Sequence, residues 1–213
     1  MLKQNILLIL ICIKLIFSPS NGEALDNIEI YLAGYGMFSQ PSNHGVSFNE
    51  AGITDDRING DAGLGFKIGL FPTFLNGYLG MELESFGHDN SLTFSVLENG
   101  IVKGKGESGL ITYASFVNLL LRYPGPYIRP YVGVGGGLSK GFLHDTDVPG
   151  RKDKSVEVGS ALGYQIFGGL QLLIAKKVFL FGEYKYGSAN YHWNKLSLNF
   201  RSEYFLFGIG YVF

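Results

Sequence analysis

Four histidines, His44, His88, His144 and His192, stand out for chemistry in this chain, imidazole being the side chain that exchanges protons near neutral pH and the commonest metal ligand. Two of them sit beside a carboxylate, in His88-Asp89 and His144-Asp145. Brought together, the four rings and those acids could hold a divalent ion. A polar residue in a loop needs no ligand to account for it, and the residues alone leave both readings open. A second set is ionic: Lys67, Arg122, Arg129 and Lys185 against Glu82, Glu84 and Glu183, with Asn118, Gln165 and Gln171 as hydrogen-bonding neighbours. A third set, Lys103, Lys105, Lys140, Arg151, Lys152 and Lys154, is cationic, suited to phosphates or simply to a solvated surface. Which role each set takes depends on the elements that carry it.

The last strand is the plainest of these elements. Period-2 geometry puts Phe205, Phe207, Ile209, Tyr211 and Phe213 on one face and Leu206, Gly208, Gly210 and Val212 on the other. A strand so apolar up to its end is predicted to span a membrane, and the spacing of Gly208, Tyr211 and Phe213 resembles the C-terminal insertion signal of bacterial outer-membrane barrels. At the other end, Lys3 precedes the run Ile6 to Ile13, which continues past Lys14 to Phe17 and is followed by Ser20, Gly22 and Ala24. This reads as a secretory signal peptide over residues 1–24, cleaved after Ala24 or, by the same small-residue rule, after Gly22. A transmembrane helix would need about 18–20 unbroken apolar residues, more than this run supplies.

Residues 25–213 then form one domain. It carries 15 basic against 17 acidic residues, a net charge of −2 that argues against a nucleic-acid partner. Cys12, the only cysteine, falls in the leader, so no disulfide framework is expected. The 31 glycines, 13 tyrosines and 17 phenylalanines are a poor recipe for helices and a good one for barrel strands.

Alternation predicts eight strands, near 28–38, 61–71, 77–87, 109–123, 127–140, 160–173, 177–189 and 197–213. Each is long enough to cross a bilayer, which takes about 9–11 tilted residues. One face carries residues such as Phe66, Leu83, Val132 and Tyr184, and the other carries the ionic set. Aromatic residues near strand ends, Phe71, Tyr123, Tyr127 and Tyr211, are expected to form girdles at the bilayer interfaces. Short connections at 72–76, 124–126 and 174–176 alternate with longer ones at 39–60, 88–108, 141–159 and 190–196. This is the pattern of short periplasmic turns and long external loops, and it places the N-terminus in the periplasm. It also assigns one histidine to each external loop. A soluble sandwich or lipocalin-like barrel would show the same alternation with its apolar face turned inward; the two ends of the chain favour the membrane.

With the segments Leu119-Leu120-Leu121-Arg122-Tyr123-Pro124, Arg129-Pro130-Tyr131-Val132-Gly133-Val134-Gly135 and Phe181-Gly182-Glu183-Tyr184-Lys185-Tyr186 added to the last strand, the chain resembles the OmpA/OmpX-like family of small eight-stranded outer-membrane β-barrels. The resemblance covers the whole mature sequence and implies an all-β, antiparallel up-and-down transmembrane barrel, without the periplasmic cell-wall-binding domain that some relatives append. Some small outer-membrane barrels are lipid-modifying enzymes, and larger ones include proteases. Their signatures are not evident: His192 is followed by Trp193 and Asn194 rather than by a serine two positions on, where it would share a strand face with the histidine.

An eight-stranded barrel is just wide enough for side chains to fill. The four cations and three carboxylates of the ionic set are therefore expected to meet inside it and plug the lumen. The expected role is structural, in envelope integrity or in surface interaction through four external loops. The expected partners are outer-membrane lipid and lipopolysaccharide, the barrel-insertion machinery and a host or environmental ligand at the loops, with no catalytic residues, cofactor or metal. A lipid-modifying or proteolytic enzyme at the external mouth, or a narrow pore for small solutes, is the alternative.

Overall fold

A computed structural model of the protein describes residues 27–42, 46–48, 52–98, 101–147, 156–192 and 196–213. The strands are β1 (Ile28–Pro41), β2 (Val46–Phe48), β3 (Gly52–Pro72), β4 (Leu79–Glu98), β5 (Ile101–Arg122), β6 (Ile128–Asp147), β7 (Glu157–Leu173), β8 (Val178–His192) and β9 (Leu196–Val212). Each long strand pairs antiparallel with the next, and β1 pairs with β9 from Tyr31 opposite Val212 to Pro41 opposite Ser202, which closes a ring of eight. The short β2 adds to β9 through Val46 opposite Leu198. Closure leaves no edge along the paired wall, the condition for burying a sheet in hydrocarbon.

The turns at one end are short. Pro72 leads into a 3-10 turn, Thr73–Leu75, that ends on Asn76 with φ 51° and Gly77 with φ 72°. Those left-handed positions suit asparagine and glycine, which tolerate positive φ at little cost. Residues 123–127 and 174–177 make the other two short connections.

Outside, the wall is apolar. Leu32, Phe66, Leu83, Val117, Val132, Ile166, Tyr184 and Ile209 are 45–56% exposed, whereas soluble monomers seldom show a contiguous apolar patch above about 300–600 Å². Further along the strands polar residues enter the outward face: Gln40, Asp89, Lys140, Ser160, Asn190 and Arg201 are exposed there, beside apolar residues such as Val158. Inside, Tyr31, Phe71, Phe167, Phe179, Phe181 and Leu206 are buried together with lysines, glutamates and glutamines. A soluble barrel would have the reverse arrangement. Tyr123, Tyr127 and Tyr211 lie on the outside as expected of girdle residues, but Phe71 does not. It is fully buried in the lumen, because its odd position in β3 shares a face with Lys67 and Gly69 and not with Leu70.

The expected long loops are largely strand. β4 and β5 together take up all of 88–108 except positions 99–100, β6 runs to Asp147, and β8 and β9 leave only 193–195 between them. Backbone pairing between neighbours outlasts the apolar alternation that lipid imposes, and register shifts between Thr54 and Arg57, Gly60 and Gly63, and Val96 and Leu97 break the pattern while the ladder continues. Only about 9–11 residues are needed to cross a bilayer, so the 20 and 22 residues of β4 and β5 stand well clear of it.

Candidate functional site

The inward face of the wall holds three tiers, and the middle one is the densest in charge. Lys67 on β3 is directly opposite Glu84 on β4, and Glu82 is opposite Asn118 on β5. Glu183 and Lys185, two apart on β8, project inward from across the barrel. Lys67 Nζ donates to Glu183 Oε2 at 2.6 Å and lies 3.5 Å from both Glu82 Oε1 and Glu84 Oε1. Lys185 Nζ lies 2.5 Å from Glu84 Oε1 and 3.3 Å from Glu183 Oε1. Asn118 donates to Glu82 at 2.8 Å and Gln165 donates to Glu84 at 2.7 Å, so the amides tie the carboxylates to one another. The two ammonium groups also face rings: Lys67 is 5.3–5.5 Å from the centroids of Tyr35, Phe167 and Phe181, and Lys185 is 5.3 Å from those of Phe86 and Phe167.

Each glutamate of this tier also accepts from a tyrosine: Tyr31 donates to Glu82, Tyr35 to Glu84 at 2.6 Å, and Tyr131 to Glu183 at 2.8 Å. Alternation puts Tyr31, Tyr35 and Tyr131 on the same face as the ionic set, but spacing gives them no partner. The available signal was the glycine on the neighbouring strand. A Cβ at Gly65 would collide with the Tyr35 ring, at Gly69 with Tyr31, and at Gly169 with Tyr131, so the glycines leave each ring room to lie along the wall with its hydroxyl aimed at a carboxylate.

Below, at the short-turn end, sits a separate group. Arg122 donates to Glu29 Oε1 at 2.6 Å and packs its guanidinium 3.5 Å from the Phe71 ring centroid. Arg129 reaches Glu29 Oε2 at 3.2 Å and the Gly125 carbonyl at 2.9 Å. The sequence assigned both arginines to Glu82, Glu84 and Glu183; they pair with Glu29 instead, because their positions at the start of β6 and the end of β5 keep them near the turns. Glu29 also restores the balance. Two lysines face three glutamates in the middle tier and two arginines face one glutamate below, which makes four of each sign. Arg122→Met is expected to lower the unfolding free energy by about 1.5–3 kcal/mol, the usual scale for a hydrogen bond to a charged group, measured by urea titration in micelles. Arg129→Met, with the more exposed side chain, should cost less.

Above, the charges are roofed by rings. Phe86 and Phe116 stack at 6.0 Å with an interplanar angle of 4°, and His88 stacks on Phe86 at 6.1 Å and on Phe200 at 5.9 Å. Asn90 Nδ2 lies 2.7 Å from His88 Nδ1, and Ser39 donates to Asn90 Oδ1 at 3.1 Å. A void of ≈ 20 Å³ beneath Tyr191 and Phe200 is on the scale of a single water.

Of the described histidines, His88 does not lie in an external loop. His88 lies on β4 with its ring buried in the lumen, His192 is exposed at the end of β8, and His144 lies on β6 opposite Gly109. His44 lies outside the described residues. Among the described residues no three His, Cys, Asp or Glu side chains are grouped as metal ligands. Of the basic set, Lys140 is exposed on the outer face of β6, Lys103 and Lys105 lie on β5, and Arg151, Lys152 and Lys154 fall outside the described residues, as do residues 1–24. Gly208 faces inward against Phe181, while Tyr211 and Phe213 face outward with ring centroids 5.2 Å apart.

A closed ring of eight antiparallel strands, greasy outside and ionic within, defines the class: a small transmembrane β-barrel of the outer-membrane type. No protein-family model and no curated protein matches the chain. Among solved structures, it is similar to the Neisserial surface protein A at TM-score 0.51 and 12% identity, over 87% of this chain and 97% of that one. It is similar to the outer membrane protein OprG of Pseudomonas aeruginosa at TM-score 0.51 and 13% identity, over 87% and 95%. At these identities the likeness is one of fold.

Proposed function

We propose that the chain is an integral outer-membrane protein, with its N-terminus and short turns on the periplasmic side, whose lumen is sealed and whose work is done at its outer rim. That work is structural support of the envelope or recognition at the surface. The observation that carries this reading is the middle tier: two lysines, three glutamates, three tyrosine hydroxyls and two amides pair with one another across the width of the barrel, where a conducting path would have to run. The partners are those of such a wall: outer-membrane lipid around it, the insertion machinery acting on Gly208, Tyr211 and Phe213, and a ligand at the protruding ends of β3 to β6.

Reconstitution tests it. The purified barrel should resist carbonate extraction from membranes and run at a different mobility in detergent gels before and after boiling, as closed barrels do. In planar bilayers it should pass no steady current. A steady conductance that vanishes on boiling and changes with Glu82→Gln would instead establish the narrow pore and remove the plug.

A further inference from the structure

The outward face of β4 to β7 carries one departure from the apolar band. Three rows cross it in register: Ser85, Ser115, Leu138 and Leu162; then Gly87, Tyr113, Lys140 and Ser160; then Asp89, Ile111, Phe142 and Val158. In the first row Ser85 and Ser115 hydrogen-bond to each other at 2.9 Å on the membrane side of the wall. In the second, Tyr113 lies over Gly87, where a Cβ would come within 3.0 Å of the ring, and meets Phe142 edge-on at 5.9 Å. A groove lined by Leu64, Phe66, Ser85, Gly87, Tyr113 and Ser115 runs up to that ring, and a second depression lined by Ile111, Tyr113, Phe142 and Val156 continues beyond it. Lys140, exposed, is the cross-strand neighbour of Tyr113 at the junction.

From this geometry we infer that the groove is a binding site for a phosphorylated glycolipid of the outer leaflet. One acyl chain lies against Leu64 and Phe66, its polar linkage meets the serine hydroxyls, and its phosphate pairs with Lys140. The inference rests on the outer-membrane placement proposed above and assigns it a specific lipid contact. Charge complementarity selects this occupant. A purely apolar partner would leave Lys140 without a counter-charge, whereas a long-chain lipid with an anionic head matches the order apolar groove, hydroxyl pair, aromatic ring, cation from mid-wall outward. Tyr113 takes the interfacial position usual for an amphipathic ring. Asp89, one row further out on the same face, opposes an anion at this point, so its removal has a predictable sign.

The test uses the refolded full barrel in nanodiscs containing bisphosphorylated lipid A or phosphatidylglycerol, with retained lipid counted by native mass spectrometry. Wild type should retain one lipid A preferentially. Lys140→Gln should weaken retention about fivefold, the effect of one basic residue at an anionic lipid surface, and Gly87→Val should abolish the preference by lifting Tyr113. Asp89→Asn should strengthen it, and Lys176→Gln at the opposite end should leave it unchanged. Equal retention by Lys140→Gln and wild type overturns the site. So does phosphatidylglycerol retained as tightly as lipid A, or the groove occupied by a second copy of the chain. A barrel that inserts and shows heat-modifiable mobility yet retains no lipid A overturns this inference alone; one that does not insert overturns the reading beneath it.

Discussion

Lys67→Met should lower the unfolding free energy of the barrel by about 3–5 kcal/mol, the scale for breaking a buried ion pair by removing one partner. Lys67 is 2% exposed, and carboxylate oxygens of three glutamates lie within 3.5 Å of its ammonium. Without it, Lys185 alone would face Glu82, Glu84 and Glu183. The loss is specific to charge: Lys67→Met combined with Glu183→Gln should recover most of the stability, since the second change removes the carboxylate that Lys67 contacts most closely. Urea unfolding in vesicles measures both, and the double-mutant cycle gives the coupling. A Lys67→Met barrel within 1 kcal/mol of wild type would show that the middle tier is solvated and not a plug.

Leu83→Arg should cost about 2–4 kcal/mol, the penalty for a basic residue at the bilayer midplane of a barrel wall. Leu83 is 56% exposed and sits between Ile68 and Val117 in register, each on the outer face. In a water-soluble protein the same exchange at so exposed a leucine would fall within about 0.5 kcal/mol of neutral. The two environments therefore predict different numbers for one substitution. Asn190→Arg, in the polar stretch further along β8, supplies the control and should be close to neutral. If Leu83→Arg and Asn190→Arg behave alike, the outer face is not in hydrocarbon.

Alternation made the two faces legible in the sequence, because lipid on one side and a packed lumen on the other constrain every second residue in the membrane-crossing part of the wall. That Leu83 faces outward and Glu82 inward needed the two ends of the chain as well, since alternation alone fits either sense. The partners of the charges were not legible, since they depend on how far up the wall each residue sits and on the stagger between strands. Arg122 and Arg129 looked like companions of Glu82 until their height placed them beside Glu29. Residue type places Phe71 at an interface, although its parity with Lys67 points inward. The apolar pattern ends before His88 and so places it in a loop, yet hydrogen bonds between β4 and β5 continue for many residues beyond. The tyrosine-to-glutamate bonds were hidden for a different reason: each needs a glycine on the adjacent strand, and that pairing exists only once register is known.

The ion pairs of the middle tier also constrain how the molecule is made. Lys67 and Glu183 are 116 residues apart, and Lys185 and Glu84 are 101 apart. While β8 is missing from the growing wall, Lys67 has Glu82 and Glu84 beside it but lacks Glu183, and Glu84 lacks Lys185, so a half-formed sheet entering the bilayer would carry two carboxylates against one ammonium. Insertion and curling up must therefore advance together, with the polar sides kept wet until the circle is complete. Variants that remove one charge should then slow assembly as well as weaken its product, and those that remove a matched pair should assemble faster than either.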